Sequence, residues 1–203
     1  SLVDYVSGSN DFEGRSKSIV LTFDDGFGDN FDYAYNILKS KRLKATFFLT
    51  CDYMDSNKAF PCWSGGSLAR AKPMSWENAS TMHADGMSIG SHTLSHADLG
   101  SISNDKEKLD KEIGVSKKII DEKLNIAVKY FAYPIGSRGT YNDKTEDVIK
   151  RSGYKAACIN IFGTNKKYGN VFQLKRTRID WNDTLFKFRM KLEGAYDWAD
   201  SAP

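Results

Sequence analysis

No stretch of the chain approaches the eighteen or so consecutive apolar residues that a membrane-crossing helix needs, so no transmembrane span is expected. An excess of one charge is lacking too: 29 basic against 26 acidic residues leave a net charge of +3, with no run of five basic residues. That balance removes nucleic acid from the expected partners. The short cluster Lys39-Ser40-Lys41-Arg42 reads as a solvated helix end. Repeats, linkers and low-complexity tracts are absent, so residues 1–203 are expected to form a single domain with a sizeable core. No leader-like segment opens the sequence, and a start at Ser1 reads as a trimmed N-terminus. No apolar stripe stands out for a second copy to cover, and a monomer is expected. Cysteine is sparse and odd in number. Either Cys51 and Cys62 bridge across a loop, which favours an oxidising compartment, or all three thiols stay free; Cys158 reads as a buried strand residue.

What is present alternates. Residues 18–23 form an apolar run that stops at Asp24-Asp25-Gly26, and residues 29–42 then place Phe31, Tyr35 and Leu38 at helical spacing. A second strand is expected at 45–50, followed by a long connection from 51 to 73. Ser75 caps a helix ending near Asp85-Gly86, and a short strand at 88–91 feeds directly into His92. The longest helical stretch, 103–124, starts from Ser103 or Asn104 and carries the core-facing stripe Leu109, Ile113, Ile120 and Leu124. A strand at 127–133 is ended by Pro134, a helix at 142–152 by Gly153, and strands at 154–159 and 171–179 precede a last helix at 183–194. Such alternation predicts a parallel α/β architecture. Asp24-Asp25, His92 and the Pro134 segment each fall at the C-terminal end of a strand, where parallel α/β barrels place their chemistry. Aromatic residues, 13% of the chain, are plentiful enough to stack on sugar rings, although each alone reads first as core.

Two of the only three histidines lie four residues apart in Ser91-His92-Thr93-Leu94-Ser95-His96. With a carboxylate oxygen from Asp25 they make a His₂-carboxylate set with positions left for water and substrate. Ser91, Thr93 and Ser95 either orient the imidazoles or cap a helix. Asp24 either takes a proton from the attacking water or caps the helix that follows it. His83, without a patterned partner, reads as structural.

Thr22-Phe23-Asp24-Asp25-Gly26 together with the double-histidine segment resembles the first two motifs of the polysaccharide deacetylases, carbohydrate esterase family 4. Ala45-Thr46-Phe47-Phe48, Trp76, Gly90 and Tyr133-Pro134-Ile135-Gly136 follow in the family's order, and the likeness runs over residues 17–195. The resemblance implies a distorted (β/α) barrel and one divalent metal ion, zinc first, with cobalt or nickel as alternatives. It implies removal of N-acetyl groups from N-acetylglucosamine polymers such as chitin, peptidoglycan or poly-N-acetylglucosamine, or of O-acetyl groups from xylan. An acetylated polysaccharide is then the expected partner, and an extracellular or cell-surface location is expected. By motif match Asp24 is the base, and Asp25, His92 and His96 hold the metal.

Two departures from the family pattern stand out. Ala132 occupies the place of the arginine that orients the base, and Ile135 that of a tyrosine whose backbone N–H helps hold the oxyanion. Ile135 offers the same N–H, so Tyr133, Pro134 and Ile135 are the expected oxyanion and substrate segment. For the missing arginine, Arg176 and Arg178 both qualify, and alternation on a strand puts them on one face. The second departure is an absence: no histidine follows His96, where the family brings a Leu-x-His histidine to protonate the leaving group. An ester tolerates that loss better than an amide does. A catalytically lapsed carbohydrate-binding protein is the reading of another class, and a hydrolase of small amides a third.

Overall fold

The structure, a computed structural model, describes residues 2–6, 18–56, 72–165 and 169–197. Five short strands, β1 (Leu21–Phe23), β2 (Ala45–Leu49), β3 (Ser88–Ser91), β4 (Tyr130–Ala132) and β5 (Ala156–Cys158), lie side by side in chain order. Every pairing is parallel, with Thr22 opposite Thr46, Phe47 opposite Ile89, Ser91 opposite Phe131 and Ala132 opposite Cys158. The sheet curls into a half-barrel with helices packed around it, the distorted (β/α) barrel expected.

All five residues of β2 are buried, as a parallel strand covered on both faces requires. Alternation then sorts the side chains. Phe47, Leu49, Phe131 and Ala157 join the large core beneath the helices, while Phe48, Tyr130, Ala132 and Cys158 line the concave side with Leu174 and Leu2 of α1 (Leu2–Val6).

The helices mostly follow the local signals. α2 (Asn36–Ser40) continues a π-helical turn, Asn30–Tyr35. α3 (Trp76–Ala84) opens with a reciprocal capping box between Ser75 and Asn78. α6 (Asp143–Arg151) is capped by Asn142, whose side chain accepts from the Thr145 backbone N–H. α7 (Leu185–Leu192) starts from Thr184.

The 103–124 stretch differs from a plain helix. Its cap is Asp105, because Asn104 turns its amide oxygen to the Lys144 ammonium and Ser103 is held in the preceding turn. α4 (Lys106–Leu109) then passes through a π-turn, Asp110–Val115, before α5 (Ser116–Leu124).

The expected strand at 171–179 is not one. Leu174 alone makes a parallel bridge to Cys158, and the Lys175 backbone is satisfied on both sides by the Asn165 side-chain amide. Beyond that point the chain runs irregularly, and strand alternation no longer governs where Arg176 and Arg178 point. Cys51 is a buried free thiol donating toward the Ser116 carbonyl at 3.5 Å, and Cys158 is likewise free; Cys62, the partner considered for Cys51, lies outside the described residues.

Candidate active site

β1 delivers Asp24 at its end, and the chain then turns sharply. Asp25 takes φ of 72° and Gly26 φ of 84°, which lets two consecutive carboxylates serve one hollow despite the strand's alternation. The Thr50 N–H donates to the Asp25 carbonyl and anchors the turn. Across the sheet, the His92 N–H still donates to the Leu49 carbonyl at 2.8 Å, so His92 extends β3 by one residue. After it the chain forms a loop rather than the expected helix start, with Thr93 and His96 both left-handed at φ of 68° and 64°. Such conformations cost about 1–3 kcal/mol each in a non-glycine residue and persist only where the surroundings hold them.

The loop and the turn bring Asp25, His92 and His96 together, with ligand atoms all within 4.8 Å of one another. Asp25 Oδ1 lies 3.4 Å from His92 Nε2 and 3.3 Å from His96 Nε2. The Ala132 carbonyl, which can only accept, sits 2.8 Å from His92 Nδ1. In the neutral form of the ring Nδ1 therefore carries the proton, and the Nε2 lone pair faces Asp25. Asp25 Oδ1 is buried without a hydrogen-bond partner. Electron-pair donors facing one another across a small gap are costly unless a cation lies among them. Ligands about 2.1 Å from one ion at tetrahedral angles stand roughly 3.4 Å apart, so the oxygen–nitrogen separations fit a divalent ion. Burial pushes the Asp25 carboxyl up, but the two imidazoles, where protonated in place of a bound cation, outweigh it and hold Asp25 well below the usual carboxylate range. Burial pushes His92 down, and the Asp24 and Asp25 carboxylates more than reverse this.

Asp24 faces a different partner. Arg176 grips it with both arms, Nη1 to Oδ1 and Nη2 to Oδ2, each at 2.7 Å. Arg176 is itself placed by its Nε–H, which donates to the Ile159 carbonyl at 3.0 Å, and its guanidinium lies over the Phe48 ring. Burial raises the Asp24 carboxyl, but Arg176 first and His92 next outweigh it, leaving Asp24 below its ordinary value. The alternative left open by the sequence is thereby separated. Arg178 points elsewhere, is 59% exposed and pairs with Asp180, because the irregular backbone replaces the strand on which the two arginines would share a face.

The Tyr133–Gly136 segment is divided between core and site. The Tyr133 ring is core, packed edge-on to Phe131 and against Tyr141, so its side chain does not serve the substrate. Pro134 is buried, while Ile135 is half exposed and left-handed at φ of 63°, a conformation hard for a β-branched residue. Among the described residues nothing accepts from the Ile135 N–H. Gly136 can be nothing else: at φ of 66°, a Cβ there would meet the Asn160 backbone nitrogen at 2.7 Å.

The hydroxyls around the histidines do not touch the imidazoles. Ser91 bonds Ser116, Thr93 accepts from the His96 backbone N–H, and Ser95 donates to Glu112, so they shape the loop and leave ring orientation to a carbonyl. His83 is exposed at the end of α3, with Nδ1 against the Met87 carbonyl. It precedes β3 and so lies at the opposite end of that strand from His92. The sequence marked Ala132 only as standing in the arginine's place and gave no sign of the backbone oxygen it contributes, and Glu112 was passed over. A glutamate three residues after core-facing Leu109 was the one available signal for the latter.

A sequence profile of the family described as polysaccharide deacetylase matches residues 12–157. YxkH of Bacillus subtilis, which carries a provisional polysaccharide deacetylase name, is 27% identical over 171 residues, 84% of this chain and 54% of its own length. The solved structure of the Streptococcus pyogenes deacetylase PplD in complex with acetate is 28% identical, with a TM-score of 0.75 over 93% of this chain and 76% of that one. BC0361, a polysaccharide deacetylase from Bacillus cereus, is 25% identical, with a TM-score of 0.73 over 92% of this chain and 54% of its own. The chain spans about half the length of the curated relatives it matches.

Proposed function

The chain belongs to the polysaccharide deacetylase family, and on that premise we propose that it is a metal-dependent hydrolase removing acetyl groups from an acetylated polysaccharide, an N-acetylglucosamine polymer first. The observation that carries this reading is the unpartnered Asp25 Oδ1 facing two histidine Nε2 atoms, with Asp24 beside it in the grip of Arg176. Zinc is the ion proposed, held by Asp25, His92 and His96.

When bound, such an ion supplies Lewis acidity and lowers the pKa of a coordinated water from 15.7 toward ~7. Asp24 accepts the proton of the attacking water. Its lowered pKa keeps it ionised while reducing its basicity, and Arg176 holds its plane while leaving a lone pair on each oxygen to accept. The Ile135 N–H, free among the described residues, donates to the oxygen that gains charge as the acetyl carbon becomes tetrahedral.

One observation favours a second reading, O-acetyl esters. Residues 97–203 hold no histidine to protonate a leaving amine, and such help is worth about 10²–10⁴-fold. An alkoxide needs it less. The test is acetate release from N-acetylglucosamine oligomers and from acetylated xylan, with zinc supplied and then chelated. Zinc-dependent release supports the hydrolase, and the better substrate names the linkage. Glycan binding that survives chelation, with no acetate from either substrate, would overturn it in favour of a lapsed carbohydrate-binding protein.

A further inference from the structure

We propose that Glu112 is the positioning residue of the histidine loop, setting where His92 and His96 place their Nε2 atoms. The proposal rests on the reading that those histidines and Asp25 hold a divalent ion. Glu112 is buried, and its carboxylate is spent on the loop between the two histidines. Oε2 accepts from the backbone N–H groups of Leu94 and Ser95 at 3.1 and 2.9 Å, and Oε1 accepts from the Ser95 hydroxyl at 2.7 Å. The Glu112 main-chain carbonyl takes the Leu94 N–H as well, at 3.1 Å. A buried carboxylate is stable only where donors converge on it, so the loop holds the charge in place and the charge holds the loop.

The location of these bonds gives them their consequence. Leu94 and Ser95 are flanked by the left-handed residues Thr93 and His96. On its other side the loop receives the Cys51 and Asp52 N–H groups at the Thr93 and Leu94 carbonyls. Glu112 completes the clamp, opposing relaxation of two unfavourable backbone conformations. Without it, the chain between the histidines is free to relax, and the spacing of their Nε2 atoms goes with it.

The mount is rigid. Glu112 sits in the π-turn Asp110–Val115, and its neighbour Ile113 offers a carbonyl that accepts from the Ser116 hydroxyl and from the Tyr154 hydroxyl at 3.0 and 3.1 Å. Ser116 in turn bonds the Ser91 hydroxyl at 2.9 Å, one residue before His92. The π-turn is thus tied both to the strand that delivers the first histidine and to the loop that delivers the second. Local π-turns recur where helices serve function.

The test measures zinc affinity of the full chain by competition with a chromogenic chelator, for wild type, Glu112→Gln, Glu112→Ala and Ser95→Ala. Metal-free melting and the visible spectrum of the cobalt-loaded protein are recorded beside it. Glu112→Gln keeps the shape and, with its amide oxygen on the two backbone N–H groups and its NH₂ turned to the Ser95 hydroxyl, exchanges charge-assisted bonds for weaker neutral ones. It is expected to weaken zinc binding about 10-fold and to shift the cobalt bands. Ser95→Ala should weaken it less. If Glu112→Ala does not fold, the other two variants carry the comparison. A Glu112→Gln protein with lowered melting but wild-type zinc affinity and cobalt spectrum would overturn the proposal, showing a purely structural carboxylate. Failure of the wild type itself to bind zinc would overturn the metal reading, and this proposal with it.

Discussion

Asp24 and Asp25 are the same residue one position apart, and their neighbours give them opposite work. Asp25 faces two imidazole nitrogens with no hydrogen-bond partner for Oδ1, while Asp24 is locked by a guanidinium on both oxygens. Asp24→Asn is therefore expected to cut acetate release by about 10²–10⁴-fold while zinc affinity measured by competition stays near wild type. Equal losses of both would show that Asp24 helps hold the ion instead. Arg176→Lys keeps the charge but not the two-armed grip, and lysine cannot reproduce it. A loss of about 10²-fold in kcat with little change in KM is expected from misaiming the base. Gly136→Ala acts on stability: a left-handed alanine costs about 1–2 kcal/mol, and the Asn160 nitrogen adds a clash. Urea denaturation should register at least that loss.

At the scale of elements, the segment carrying Arg176 is tied to β5 and the residues after it by an irregular set of backbone bonds, and side chains brace it on both sides. The backbone bonds run from the Ala157 N–H to Val171, the Leu174 N–H to Ala157, the Ile159 N–H to Leu174 and the Arg176 N–H to Ile161. Upstream, Glu146 of α6 accepts from the Asn170 and Gln173 side chains and pairs with Lys150. Downstream, the buried Lys191 ammonium of α7 donates to the Arg178 carbonyl and to the carboxylates of Asp180 and Asp183. Burial pushes the Glu146 carboxyl up, but Lys150, Gln173 and Asn170 outweigh it, leaving its pKa below the ordinary value. A carboxyl depressed in the folded state stabilises at pH above its unfolded pKa, about 4.3, and that contribution is lost as pH falls through the folded pKa. Stability followed by urea denaturation should thus decline on acidification below about pH 5, and Glu146→Gln should flatten that decline. An unchanged acid limb in the variant would show that the clasp contributes nothing to it.

For the whole molecule, the proposed metal centre would join elements far apart in sequence, Asp25 after β1 with His92 and His96 after β3. Any ion binding only the folded chain adds stability by mass action, about 2.7 kcal/mol at a hundred times its Kd. For a chain of this size that raises Tm by roughly 5–10 °C. His92→Ala and His96→Ala should abolish the rise in a thermal scan with and without zinc; a persistent shift would place the ion elsewhere. The surface also corrects the ground on which a monomer was expected. Trp181, Leu185 and Phe186 are 95%, 83% and 74% exposed around the start of α7, so exposed apolar side chains are present after all.

What the sequence by itself determined is what depends on neighbours along the chain. Apolar runs, capping residues and the arrest of each strand at Asp24, His92 and Pro134 located the alternating elements and the strand-end chemistry, because pattern and turn preference act over a few residues. The pairing of Asp25 with His92 and His96 was legible for the same reason, since parallel strands bring their ends to one side. The tertiary structure alone decided between Arg176 and Arg178, as Arg176 finds Asp24 across 152 positions and the intervening backbone abandons the strand that sequence alternation assumed. It alone turned Tyr133 into the core, aimed His92 with a carbonyl from β4, and showed Glu112 at the histidine loop. Each of these is a contact between distant segments, set by the curl of the sheet and the packing of helices on it, which no local pattern encodes.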